Sequence, residues 1–214
     1  MSIPVKYLAG LGGAGAVGTG AYFAIPSSSS EKPKALSVKD RLERSGYSIL
    51  NLNKNDTTKH ATEWGQVKEA YGKETTSNLK FASVTTQDDN TIGGIKKACS
   101  SLLSSESDTS SDLEKARRWC VVPVTVASRI GDKLEFMDTS GDGDSSLWQA
   151  KLDEHKKSDS FIPKMTLTPS SSGSQPSESD LKTECGKVKD YKTFNKDFET
   201  FVLHAQNWCT KSKS

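Results

Sequence analysis

Four cysteines are the residues of this chain best suited to covalent chemistry: Cys99, Cys120, Cys185 and Cys209. Successive members stand as two couples, 21 and 24 positions apart. Four cysteines allow three pairings. In an antiparallel helix hairpin the start of one helix lies beside the end of the next, and a Cα separation of about 5.5 Å comes within reach. In a single straight helix, the 24 residues from Cys185 to Cys209 would span about 36 Å and no bridge could form. The hairpin reading therefore pairs Cys99 with Cys120 and Cys185 with Cys209. The alternative is four buried free thiols. Disulfides would place the chain in an oxidising, extracytoplasmic compartment. A zinc site fits less well, because no C-x-x-C occurs and His60, His155 and His204 are scattered.

A second stretch with the right residue types for chemistry is Asp138-Thr139-Ser140-Gly141-Asp142-Gly143-Asp144. It resembles the front of a calcium loop, but the bidentate Glu expected at position 12 is Gln149. Gln offers one neutral carbonyl, so the loop reads as a solvated Asp/Gly turn. A small-ligand or weak calcium-binding module on Asp138–Gln149 stands as the alternative function. Gly13 to Gly18 matches G-x-G-x-x-G, yet Pro26 and the run Ser27 to Ser30 break the helix a dinucleotide site needs. No G-x-S-x-G, H-E-x-x-H or G-K-[ST] is present. No catalytic residue, cofactor or metal ligand is assigned, and the chain reads as a non-enzyme.

Composition narrows the classes further. The 214 residues carry 29 basic and 27 acidic side chains, a net charge of +2, which argues against a nucleic-acid partner. At 33% hydrophobic residues, any core is lean. The length is short of the about 250 residues a catalytic (β/α)₈ barrel needs.

The elements that must position the cysteines begin after an apolar amino terminus. Tyr7 to Ile25 carries no charge and is rich in Ala and Gly. At about 1.5 Å per residue it approaches the about 30 Å hydrocarbon thickness. Residues 1–26 therefore read as a hydrophobic anchor, with a cleaved signal or a soluble apolar segment as alternatives. The basic residues Lys32 to Arg44 that follow would favour a cytoplasmic bulk, but the cysteines argue for the outside. Residues 27–36 (SSSSEKPKA and its edges) read as a flexible linker.

Beyond it the chain duplicates its markers. Val38, Arg41 and Leu42 recur as Val126, Arg129 and Ile130; Trp64 recurs as Trp148; Cys99 recurs as Cys185; Trp119-Cys120 recurs as Trp208-Cys209. The offsets are 88, 84, 86 and 89. The expected fold class is mainly α: two tandem small helical units, 37–124 and 125–210, with short strands possible at Tyr47–Leu52 and Leu134–Met137. Ser37 is placed as a helix cap and Gly46 as a helix stop. Trp64, Val67 and Tyr71 share one helical face, as do Trp148, Leu152 and His155. The four Trp are expected as core anchors and His155 as a packing residue. Ile92–Leu103 and Leu113–Cys120 form a helical pair around a polar turn. In the second unit, helical spacing runs unbroken from Leu181 to Trp208, so one long helix competes with a pair that turns near Lys192–Asn195. Glu114-Lys115-Ala116-Arg117-Arg118 is expected to be a solvated helix face.

Several features together resemble a family. They are the Ala/Gly-rich amino-terminal stretch LAGLGGAGAVGTGAYF, the early helix and Gly-Tyr of SVKDRLERSGYSIL, the Trp and Tyr of WGQVKEAY, and Arg117-Arg118-Trp119-Cys120 within RRWCVVPV. The chain resembles the paralogous families of uncharacterised proteins of hemotropic mycoplasmas, bacteria that attach to red blood cells. The resemblance implies a surface protein, anchored in the cell membrane by its amino terminus with the bulk outside, and a role in antigenic variation or host-cell contact. The partner would be an unknown host or surface molecule. The family offers no catalytic residue to transfer.

Overall fold

The structure is a computed structural model and describes residues 35–84, 91–157, 162–170 and 174–213. The hydrophobic stretch 1–26 and most of the 27–36 linker lie outside the described residues. Among the described residues, no helix is long and apolar enough to cross a membrane.

The first helix, α1 (Val38–Arg44), starts at a reciprocal cap. The Ser37 backbone N–H donates to Asp40 Oδ2 at 3.1 Å, and the Asp40 N–H donates to Ser37 Oγ at 3.1 Å. It stops at Gly46, whose φ of +79° lies in the left-handed region that glycine enters without steric cost. A reciprocal cap also opens α6 (Glu178–Val188), where Ser177 and Asp180 play the same parts. Between these lie α2 (Ala61–Lys73), α3 (Thr91–Ser104), α4 (Ser110–Trp119) and α5 (Ser145–Lys156). After α6 come α7 (Phe198–His204) and one π-helical turn, Ala205–Cys209. The molecule is mainly helical. Its small sheet is β1 (Leu134–Phe136) antiparallel to β2 (Thr210–Ser212), with Phe136 opposite Thr210.

The chain leaves helical geometry between α6 and α7, at residues 189–197. One long carboxyl-terminal helix is thus excluded, and the turn falls where the hairpin reading requires it. The apolar faces are buried as their spacing implies. Trp64, Val67 and Tyr71 of α2, and Trp148, Leu152 and His155 of α5, are all buried. Trp119, Trp148 and Trp208 are fully enclosed. A fully buried large apolar side chain contributes about 1.5–3 kcal/mol relative to exposure.

Several contacts come in pairs. The Trp64 indole N–H donates to the Asn51 carbonyl at 3.0 Å, and that of Trp148 to the Asp138 carbonyl at 2.8 Å. The Trp119 indole donates to Leu79 O, and the Trp208 indole to Pro163 O. Tyr71 meets Trp119 edge-on at 4.9 Å and bonds through its hydroxyl to Phe81 O; His155 meets Trp208 edge-on at 4.9 Å and bonds through Nε2 to Met165 O. Ile49 bridges Val121 in antiparallel fashion, as Phe136 pairs with Thr210. The only non-glycine residues with positive φ among the described residues are His60 (63°) and Asp144 (62°), each immediately before α2 or α5.

From Ala35 onward the residues close into one compact unit. Where the halves meet, one expectation fails. Arg117 and Arg118 are 5% and 4% exposed, not a solvated face. Arg117 is covered because its Nη1 reaches the carbonyls of Thr193 (2.7 Å) and Asn195 (3.4 Å), across the seam. Arg118 is covered because it pairs with Glu74 and lies over the Trp119 ring at 4.7 Å.

Candidate functional site

Among the described residues, three places combine reactive or charged side chains in a way that bears on function. The first is the pair of sulfur–sulfur bridges. α3 and α4 pack antiparallel, which brings Cys99 and Cys120 to a Cα separation of 5.5 Å, and they are bonded. Cys185 and Cys209 are bonded at the same separation. All four are completely buried, and among the described residues no free cysteine remains. Each bridge also anchors the chain that enters its half: Leu50 N–H donates to Cys120 O, and Met137 N–H to Cys209 O, both at 3.0 Å. The sulfurs are therefore structural and unavailable as nucleophiles.

The second place is a pair of polar loops ahead of α2 and α5. In the first, Asp56 Oδ1 accepts from the backbone N–H groups of Lys59 and Thr58 and from the Thr58 hydroxyl. These bonds favour the ionised carboxylate and hold its pKa down at about 2. Lys96, buried on α3, sends its ammonium into the loop and donates to Asn53 O (2.9 Å) and Asp56 O (3.1 Å). In the second loop, Asp138 Oδ1 accepts from Ser140, and Asp144 Oδ2 from the Asp138 N–H. Lys182 of α6 donates to Gly141 O at 3.1 Å, and Lys211 to Asp144 Oδ1 at 2.9 Å. Hydrogen bonds from Ser140 and from Lys211 lower the pKa of Asp138 and Asp144 respectively. Lysine ammoniums thus lie on Gly141 O and Asp144 Oδ1 of this loop. Gln149 belongs to α5 and donates to Asp153, away from the loop carbonyls. Among the described residues, no cluster of three or more His, Cys, Asp or Glu is arranged to hold a metal.

The third place is a cleft of about 440 Å³ on the seam between the halves. Its apolar wall is Leu42, Leu113 and the Tyr47 ring; its charged wall is Arg41, Arg117 and Arg129, with Lys196, Glu114 and Glu199 at the rim. Arg129 reaches back 83 and 84 residues to donate to Gly46 O (3.2 Å) and Ser45 O (2.6 Å). Its guanidinium lies 4.4 Å from the centre of the Tyr47 ring, so it satisfies the end of α1 and covers an aromatic face together. The Tyr47 hydroxyl donates to Glu199 Oε1. Burial, then this contact with a carboxylate, push the phenol well above its ordinary range. Glu199 Oε1 lies 3.7 Å from Arg117 Nε. Burial lowers the Arg117 pKa from its very high ordinary value, and a guanidinium still keeps its charge there.

The sequence reading missed Tyr47, Arg117 and Glu199 as a group, and took Arg129 only as a repeat marker. One signal was present: Leu113 and Arg117 are four apart on α4 and therefore share a face. The histidines are all committed to packing or local bonds. His60 Nδ1 accepts from Asn51 N–H, His155 bonds Met165 O, and His204 is enclosed beside Phe201. No protein-family model matches this chain, and comparison with curated proteins and with solved structures finds no match either.

Proposed function

We propose that this chain is a non-enzymatic, exported surface protein. Two tandem disulfide-stapled helical units, 37–124 and 125–210, would be held at the cell membrane by the amino-terminal stretch. Display outside the cell, in host-cell contact or antigenic variation, follows from the resemblance to hemotropic mycoplasma proteins. The observation that carries the reading is the pair of fully buried disulfides, each closing an antiparallel helical hairpin. Such bonds belong to oxidising compartments. They suit a chain whose lean halves need covalent help.

The tandem reading rests on the paired contacts. Tyr71 to Phe81 and His155 to Met165 both span ten residues, and each pair is displaced from the other by 84 positions. Lys96 and Lys182, 86 positions apart, enter equivalent loops. A helix hairpin, a Trp-Cys end and a bridging strand recur in the same order. The calcium alternative on Asp138–Gln149 is disfavoured by Lys182 and Lys211, whose charges occupy the loop.

Two measurements test the proposal. Limited proteolysis of intact cells should cut the protein before lysis; survival of the full-length chain until lysis would remove the surface claim. Non-reducing mass mapping of the native protein should find the peptides of Cys99 and Cys120 joined, and those of Cys185 and Cys209 joined. Four free thiols would instead place the bulk in the cytoplasm.

A further inference from the structure

The seam cleft has more positive charge than its own carboxylates answer. Glu199 is engaged by the Tyr47 hydroxyl, and Glu114 faces Arg118 at 3.9 Å. Lys196 is paired with Asp197 at 3.1 Å. Arg129 donates one N–H from each of Nη1 and Nη2 to a backbone carbonyl and keeps three of its five donors, and Arg41 donates through Nε to Leu36 O at 3.4 Å. Among the described residues, neither Arg41 nor Arg129 has a carboxylate partner. Three guanidiniums and Lys196 therefore line one hollow whose carboxylates are Glu114 and Glu199, four positive charges against two, with Arg117 almost fully buried. The volume of about 440 Å³ falls within the range of small-molecule pockets, about 300–1,000 Å³. Its apolar wall is built from Leu42 and Leu113.

We propose that this cleft is a binding site for a small organic oxyanion: an apolar body seated against Leu42 and Leu113, with a carboxylate or phosphate-type head taken by Arg41 and Arg129. The guanidinium fork matches both head groups in bidentate fashion, which an ammonium does not. A free cation is repelled by the surplus charge, and a neutral body leaves that charge unanswered. Glu199 sets the balance, since it is the carboxylate nearest to Arg117. The inference stands apart from the proposed surface role, because binding can be measured on the isolated protein.

The test is isothermal titration of the full, disulfide-intact chain at low ionic strength with benzoate, phenyl phosphate and benzyl alcohol. At least one of the two anions should saturate at a single site, and benzyl alcohol should not. The stronger of the two anions identifies the head group. R41Q should weaken the binding about tenfold, the loss of one charge-assisted contact. E199Q should strengthen it several-fold, by removing a competing negative charge. A thermal melt unchanged from wild type shows that R41Q is folded, and E199Q tests the same site if it is not. The proposal is overturned if neither anion saturates by about 10 mM, a limit of weak binding. It is equally overturned if benzyl alcohol binds as well as the anions, or if E199Q fails to strengthen binding.

Discussion

Removing either disulfide should cost a calculable share of the stability. Bridging Cys99 to Cys120 closes a loop of 21 residues, and bridging Cys185 to Cys209 one of 24. The chain-entropy relation for cross-linked unfolded states gives about 3.3 and 3.5 kcal/mol at 25 °C for loops of these lengths. A domain of this size has a total of about 5–15 kcal/mol, so each bridge is a large fraction. The perturbations are the double variants C99A/C120A and C185A/C209A, which leave the other bridge in place. The assay is urea unfolding without reductant, followed by tryptophan fluorescence, which Trp119 and Trp208 beside the bridges should report. With a slope of about 2 kcal/mol per molar, each midpoint should fall by about 1.7 M. The two losses should also be similar, since the loop lengths are. A midpoint shift under about 0.5 M in either variant would refute the loop-closure reasoning. So would mass mapping that joined Cys99 to Cys185 or to Cys209.

Three further outcomes follow from single side chains. K96M should lower stability by about 2 kcal/mol, because it strips a buried donor from the Asn53 and Asp56 carbonyls; urea unfolding reads it, and an unchanged midpoint would show that water replaces the ammonium. G46A places a side chain at φ +79° with its Cβ 3.0 Å from Arg129 Nη1; a loss of about 1–2 kcal/mol in thermal or urea unfolding is expected. Acid should weaken the fold through His204, whose pKa burial first and nearby His155 second hold below the ordinary value. Above about pH 6.5 the ring is neutral whether folded or unfolded and stability is complete; below it the unfolded chain takes up the proton first, so stability declines as pH falls. H204F should flatten that decline between about pH 6.5 and 5, and an identical slope in the variant would assign it elsewhere.

The local elements were legible because local chemistry sets them. Ser37 with Asp40 and Gly46 bound α1 by capping and by a left-handed stop, and both signals sit within a few residues. The pairing of cysteines was legible because a helix cannot bend its two ends together, so the bridges demanded a turn. The break at 189–197 was hidden by unbroken helical spacing from Leu181 to Trp208. The duplication placed a turn near Lys192–Asn195, and the bridge geometry decided for it. The seam was not legible for a different reason. Arg117, Arg129, Tyr47 and Glu199 come from four separate stretches, and charge alone suggested water where backbone carbonyls of 193–196 cover Arg117. Lys96 was obscured in the same way: a lysine in an apolar phrase reads as a surface interruption until its ammonium is seen capping a loop.

That inserted ammonium has a consequence for the two polar loops. Each takes a positive charge from a neighbouring helix, Lys96 of α3 or Lys182 of α6, so its shape is expected to survive a chelator. The water-facing side chains of Lys54, Asn55, Thr57 and Asp142 do none of the bracing. Substitutions there can repaint the outer contour of the molecule while the frame beneath keeps its form.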